Sequence, residues 1–185
     1  MVRRHAWAQL LFISIACASN TPGLSVSPSD WSSSASREPP CSTSAYRGDT
    51  RSQPLPDSLG SIALPSTLIP QSARQTNLHV YLGADSTRLE MWVSPEPSAT
   101  LMTLVHSKVQ TEPQCRITVG SRFALVSPFE IGDPGNPRVR HAAIVNAVLM
   151  EGVALNFYVD SPTDPGRGEL LGAVAHLQLR EFLSR

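Results

Sequence analysis

Residues 142–160 read AAIVNAVLMEGVALNFYVD, and this stretch decides the fold. Ala142 to Met150 is almost uniformly apolar, as a strand at the centre of a sheet must be when both its faces are covered. Val153 to Asp160 then alternates, with Val153, Leu155, Phe157 and Val159 on one side and Asn156, Tyr158 and Asp160 on the other. A period of two marks a half-buried antiparallel strand. Glu151-Gly152 is a two-residue connection between the two runs, so the stretch is predicted to be a β-hairpin.

The same reading extends outward. Gln75 to Leu82 alternates, with Leu78, Val80 and Leu82 assigned inward and Asn77, His79 and Tyr81 outward. Thr87 to Val93 repeats the pattern, with Leu89, Met91 and Val93 inward and Arg88, Glu90 and Trp92 outward. Gly83-Ala84-Asp85-Ser86 is the turn between them. Ser61 to Pro65 reads as a short edge strand stopped by proline, and Thr100 to Val109 as a further strand. Cys115 to Val119 and Arg122 to Ser127 are two more, joined at Gly120-Ser121, and Gly132 to Pro137 is a loop. On the C-terminal side the period changes. Asp164-Pro165 gives a helix start, and Leu170, Leu171, Val174 and Leu177 then form one apolar stripe. The fold class is therefore α+β: an antiparallel sheet of about six to eight strands with one C-terminal helix packed on it, over residues 59–185.

Residues 19–58 differ in kind. Ser, Pro, Thr and Ala dominate, and Trp31 and Tyr46 are isolated, so the segment buries too little surface to offset its chain entropy. It is expected to be a disordered, flexible tether. Residues 1–18 carry Arg3-Arg4, an apolar run from Ala6 to Ala16, and Ala16-Cys17-Ala18. That layout is a secretory signal peptide, and its run is too short for a transmembrane helix. Two processing modes stay open. Ala16-x-Ala18 fits cleavage before Ser19, whereas Ser14-Ile15-Ala16-Cys17 resembles a bacterial lipobox that would make Cys17 a lipidated N-terminus. The lipobox reading is preferred, and it makes the lipid bilayer a partner.

Export decides how the three cysteines are read. With Cys17 assigned to the signal region, Cys41 and Cys115 remain as a disulfide pair, worth about 4 kcal/mol by chain entropy because the closed loop is long. The chain carries 15 basic and 15 acidic residues with no basic stripe, which argues against nucleic-acid binding. There is no GxSxG elbow, phosphate loop or dinucleotide fingerprint, and no paired histidine spacing. No catalytic residue, metal or cofactor is assigned. The one feature to watch is an outward set, His79, Tyr81, Arg88, Trp92 and Tyr158, as a candidate binding face.

The element order is a Leu-Pro strand, hairpins, a Gly/Pro loop, a long hairpin ending in Phe157-Tyr158-Val159-Asp160-Ser161-Pro162, and a terminal helix. Over residues 59–183 it resembles the small secreted α+β domains of the PsbP/Mog1-like type found in bacterial lipoproteins. That resemblance implies a binding or assembly accessory. The expected function is a non-catalytic, envelope-associated binding or scaffolding domain, whose partner is an unknown envelope protein or small ligand. The alternatives are an exported hydrolase with an unrecognised site and a soluble secreted ligand-binding protein.

Overall fold

The computed structural model describes residues 27–73, 75, 77–97, 109–133 and 136–180. The apolar stretch lies where its composition demands. β9 (Asn136–Met150) and β10 (Val153–Ser161) form the central hairpin, turning at Glu151-Gly152 with Gly152 at φ +71°. The remaining strands are β1 (Thr50–Pro54), β2 (Gly60–Pro65), β3 (Ile69–Gln71), β4 (Leu78–Leu82), β5 (Arg88–Ser94), β6 (Val109–Thr111), β7 (Cys115–Val119), β8 (Arg122–Asp133) and β11 (Gln178–Leu179). The large sheet runs β3-β4-β5-β10-β9-β8-β6, antiparallel throughout. β7 shares the last position with β6, each pairing a different half of β8. A small sheet, β1-β2-β11, stands beside it.

Cross-strand register sets the faces, because opposed residues in an antiparallel pair point the same way. Leu89, Met91, Leu155, Phe157, Val159, Ala143, Val145 and Ala147 share one face. The C-terminal helix, α2 (Asp164–Ala175), packs its Leu170, Leu171 and Val174 there, in one cluster with those residues. The α+β architecture and the terminal helix are thus as the periodicity predicts. The helix start lies one residue earlier than expected: Thr163 is the cap, its hydroxyl accepting from the Gly166 amide at 3.2 Å, and Asp164 opens the first turn.

Four expectations change. First, the chain before Leu59 is structured from residue 27 onward. α1 (Pro28–Ala35) packs on β8 and β9, with Trp31 Nε1 donating to the Asn146 carbonyl at 3.2 Å. A strap over residues 36–49 follows, and then β1. Hydropathy misses this because the strap is held by backbone bonds and a covalent link. Cys41 N–H donates to Arg116 O, Arg116 N–H donates to Pro39 O, and Cys41 is bonded to Cys115 as predicted. Second, β2 is the middle strand of the small sheet, since β1 supplies a neighbour and Pro65 ends the strand. Third, β8 and β9 continue into the Gly132–Pro137 stretch, with Asp133 opposite Asn136, so strand pairing reaches further than the expected loop allows. Fourth, β4 faces the other way. Tyr81 is 3% exposed in the core under the helix side, while Leu82 is 38% exposed on the opposite face. Of the Thr100–Val109 strand, only Val109 lies within the described residues. The expected signal peptide, residues 1–18, and the expected lipidation at Cys17 lie outside them.

Candidate functional site

The polar chemistry gathers around the N-terminus of α2. Arg167, on the first turn of that helix, is buried, and burial is offset by two carboxylates. Its guanidinium donates to both Glu112 oxygens (2.5 and 3.0 Å), to Asp164 Oδ1 (2.6 Å) and to the Ala142 carbonyl (3.3 Å). Desolvation lowers its proton affinity, but the Glu112 and Asp164 contacts outweigh it and push the pKa up. A cavity of about 470 Å³ opens beside it, walled by the strap, the Cys41–Cys115 pair, Pro128 and Gly168. Arg167 is already spent on its own carboxylates, so this cavity offers an anion little.

A second cavity, of about 390 Å³, lies on the other flank of the helix. Its floor is Pro65, Leu68, Pro165 and Leu170. Its polar lining comes from Tyr46, Thr67, Asp85, Thr87, Ser161, Thr163 and Glu169. The β4–β5 turn positions Asp85, which accepts from the Thr87 amide and hydroxyl at 2.9 Å each. Those bonds, the amide first, hold its carboxyl below the usual range. Among the described residues, the side chains of Tyr46, Thr67 and Glu169 make no hydrogen bond or ion pair.

Register also builds a row that the sequence conceals. Glu130 lies opposite His141, and His141 opposite Ser161, all on the helix-bearing face. His141 Nδ1 is 3.3 Å from Glu130 Oε1 without the alignment of a hydrogen bond. The Ser161 hydroxyl accepts from the Thr163 amide at 3.3 Å and abuts Gly166. Acid, imidazole and hydroxyl therefore occur in order on three adjacent strands. Their spacing in the chain gives no hint of it. Only a hairpin register that includes the bulge at Val153/Ala154 sets Ser161 opposite His141.

The candidate face divides. Arg88, Trp92 and Tyr158 do lie on one face, with Trp92 opposite Asn156 and Tyr158 opposite Glu90. Tyr158 touches Phe129 at 6.4 Å between ring centres, and burial, helped by Asp160, pushes its pKa far up. Arg88 pairs with Glu90. His79 and Tyr81 point to the other face, where burial likewise raises the tyrosine pKa. The five residues are not one surface. His176 caps α2, with Nδ1 2.8 Å from the Gly172 carbonyl. No group of three metal-ligating side chains occurs among the described residues, and no helix among them is long and apolar enough to cross a membrane.

No protein-family profile matches the chain, and no curated protein matches it. Two solved structures are similar in shape. One, from Bacteroides thetaiotaomicron, shares 10% identity with a TM-score of 0.48, covering 74% of this chain and 50% of its own. The chain thus spans half the length of that protein. The other, PA94 of Pseudomonas aeruginosa, is a protein of unknown function with 9% identity and a TM-score of 0.38, covering 72% of this chain and 99% of its own.

Proposed function

We propose that this chain is a non-catalytic binding domain of the cell envelope, exported and tethered through an N-terminal lipid on Cys17. The observation that carries the binding reading is the 390 Å³ cavity beside α2. It has an apolar floor and unpartnered polar groups on its wall, the usual make-up of a ligand site, and no histidine among its described lining residues. The Cys41–Cys115 disulfide supports an oxidising compartment, and the lipobox-like Ser14–Cys17 supports the tether. The PsbP/Mog1-like element order agrees with an accessory role.

Two measurements test this reading. The intact mass of the native protein is expected to begin at acylated Cys17; a mass beginning at Ser19 without lipid makes it a soluble secreted binding protein. The row Glu130–His141–Ser161 favours the second reading, an exported hydrolase. Against it, Ser161 is 1% exposed and its hydroxyl is engaged with the Thr163 amide. Hydrolysis of p-nitrophenyl acetate is expected to be the same in the native protein and in Ser161→Ala. Turnover that disappears in Ser161→Ala, with the fold intact, would replace binding by catalysis.

A further inference from the structure

We propose that the cavity between α2, the β4–β5 turn and Tyr46 takes a small cationic amine that also carries hydroxyl groups, of the amino-sugar or amino-alcohol class. This rests on the binding reading above and names the ligand chemistry of the same site.

Charge excludes the opposite class. Asp85 and Glu169 both line the cavity, and no Arg, Lys or His does so among the described residues. An anion entering there would meet two carboxylates. The start of α2, which would ordinarily attract one, is already spent: the Gly166 amide donates to Thr163 Oγ1, the Arg167 amide to the Thr163 carbonyl, and Pro165 has no N–H.

The carboxylates differ in availability. Asp85 has both oxygens engaged by Thr87, so it supplies a fixed negative field more than a free acceptor. Glu169 is half-buried and unpartnered among the described residues, which makes it the group that would accept directly from an ammonium. Tyr46 also lines the cavity, so an aromatic side chain stands beside the ligand position.

Hydroxyl recognition comes from the rest of the wall. Tyr46 and Thr67 have free hydroxyls among the described residues. Ser161, 1% exposed and engaged by the Thr163 amide, adds little to this recognition. Leu68, Leu170, Pro65 and Pro165 cover the apolar side of the ligand. The volume of about 390 Å³ is at the lower end for small-molecule sites and suits a single ring.

The test is an NMR titration of the disulfide-intact protein with glucosamine, glucose and glucose 6-phosphate, reading the amides of Thr67, Asp85, Thr87 and Glu169. Glucosamine is expected to shift them saturably. Glucose is expected to bind about tenfold more weakly, the worth of one charged hydrogen bond. Glucose 6-phosphate is expected to leave them unmoved. Glu169→Gln, with its other amide resonances unchanged, is expected to weaken glucosamine by about the same factor. Equal affinity for glucose and glucosamine overturns the cationic class while leaving a binding cavity. Shifts with glucose 6-phosphate, or none with glucosamine, overturn the class outright. The broader binding reading falls on a different result, the Ser161-dependent turnover described above.

Discussion

The central hairpin, residues 142–160, and the strap, residues 36–49, are both ordered parts of one molecule, and they are held by unlike forces. The hairpin has side chains that water rejects: Ile144, Val145, Leu149, Leu155, Phe157 and Val159 are all fully buried. The strap has almost none. It is fixed by the Cys41–Cys115 bond, by backbone bonds to Arg116, and by Ser44 N–H donating to the Gly168 carbonyl at 3.1 Å. The Arg116 guanidinium also donates to the carbonyls of Ser36 and Glu38 and lies 4.9 Å from the Phe123 ring centre. Hydrophobic burial leaves a periodic trace in a sequence, whereas covalent and backbone attachment leaves almost none.

The largest effect should come from breaking the first region. Phe157 lies at the middle of the core, so Phe157→Ala removes a ring and leaves a cavity. A loss of about 4 kcal/mol is expected in urea unfolding, with the strap's own attachments untouched. A loss below about 1 kcal/mol would mean that the hairpin does not carry the core.

Breaking the second region should cost somewhat less. Cys41 and Cys115 are 74 residues apart, and removing the bond frees that loop in the unfolded chain. Replacing both with serine is expected to cost about 3 kcal/mol, below the chain-entropy figure of about 4 because the unfolded chain retains some structure. Hydrogen exchange separates the two regions. The Ser44 amide should lose most of its protection, while amides of β9 and β10 keep theirs relative to global unfolding. Equal loss in both would show that strap and core form one cooperative unit.

What was legible follows the same division. β5 and the helix stripe are legible because each presents one buried face, and β10 because its large apolar residues alternate, although Asn156 and Asp160 on its other face are buried too. β4 has its faces exchanged relative to the pattern of its aliphatic residues. Its aliphatic residues alternate cleanly, but the opposite face of the sheet is itself partly apolar, with Phe129, Ala142 and Ile144 buried there, so apolar character does not choose a side. Tyr81, opposite Leu89, takes the core position. The candidate face failed for that reason: His79 and Tyr81 belong with the core side, while Arg88, Trp92 and Tyr158 belong with the other. The row Glu130–His141–Ser161 and the cavity at Tyr46 were illegible because each needs a register or a strap path that no local pattern encodes.

A smaller effect sharpens how the strap sits on the helix. A Cβ on Gly172 would overlap the carbonyl of Ser44, so glycine there permits backbone to lie against backbone. Gly172→Ala gains about 1 kcal/mol of helix propensity but must displace the strap, and a net loss of about 1 kcal/mol is expected. In the variant lacking both cysteines the strap is no longer pinned, and the same substitution should become neutral or stabilising. A double-mutant cycle measures that change of sign, and strict additivity would mean that the strap contact at Ser44 does not depend on the disulfide.

The smallest effect concerns another segment held by polar contacts, the β4–β5 turn. Asp85 is exposed, and its carboxylate is bonded by the Thr87 amide and hydroxyl, which lowers its folded pKa. A carboxyl whose folded pKa lies below the unfolded value near 3.9 stabilises the fold above that value, and the gain is lost as pH falls through the folded pKa. Asp85→Ala should therefore destabilise slightly at neutral pH, and the gap from the native protein should close in acid. Urea midpoints measured from pH 7 downward report this directly. Phe157→Ala should show the same deficit at every pH, because a lost ring carries no proton. If the Asp85 gap fails to close, the turn is held by its shape and by Gly83 N–H donating to Thr87 O, with the charge contributing nothing.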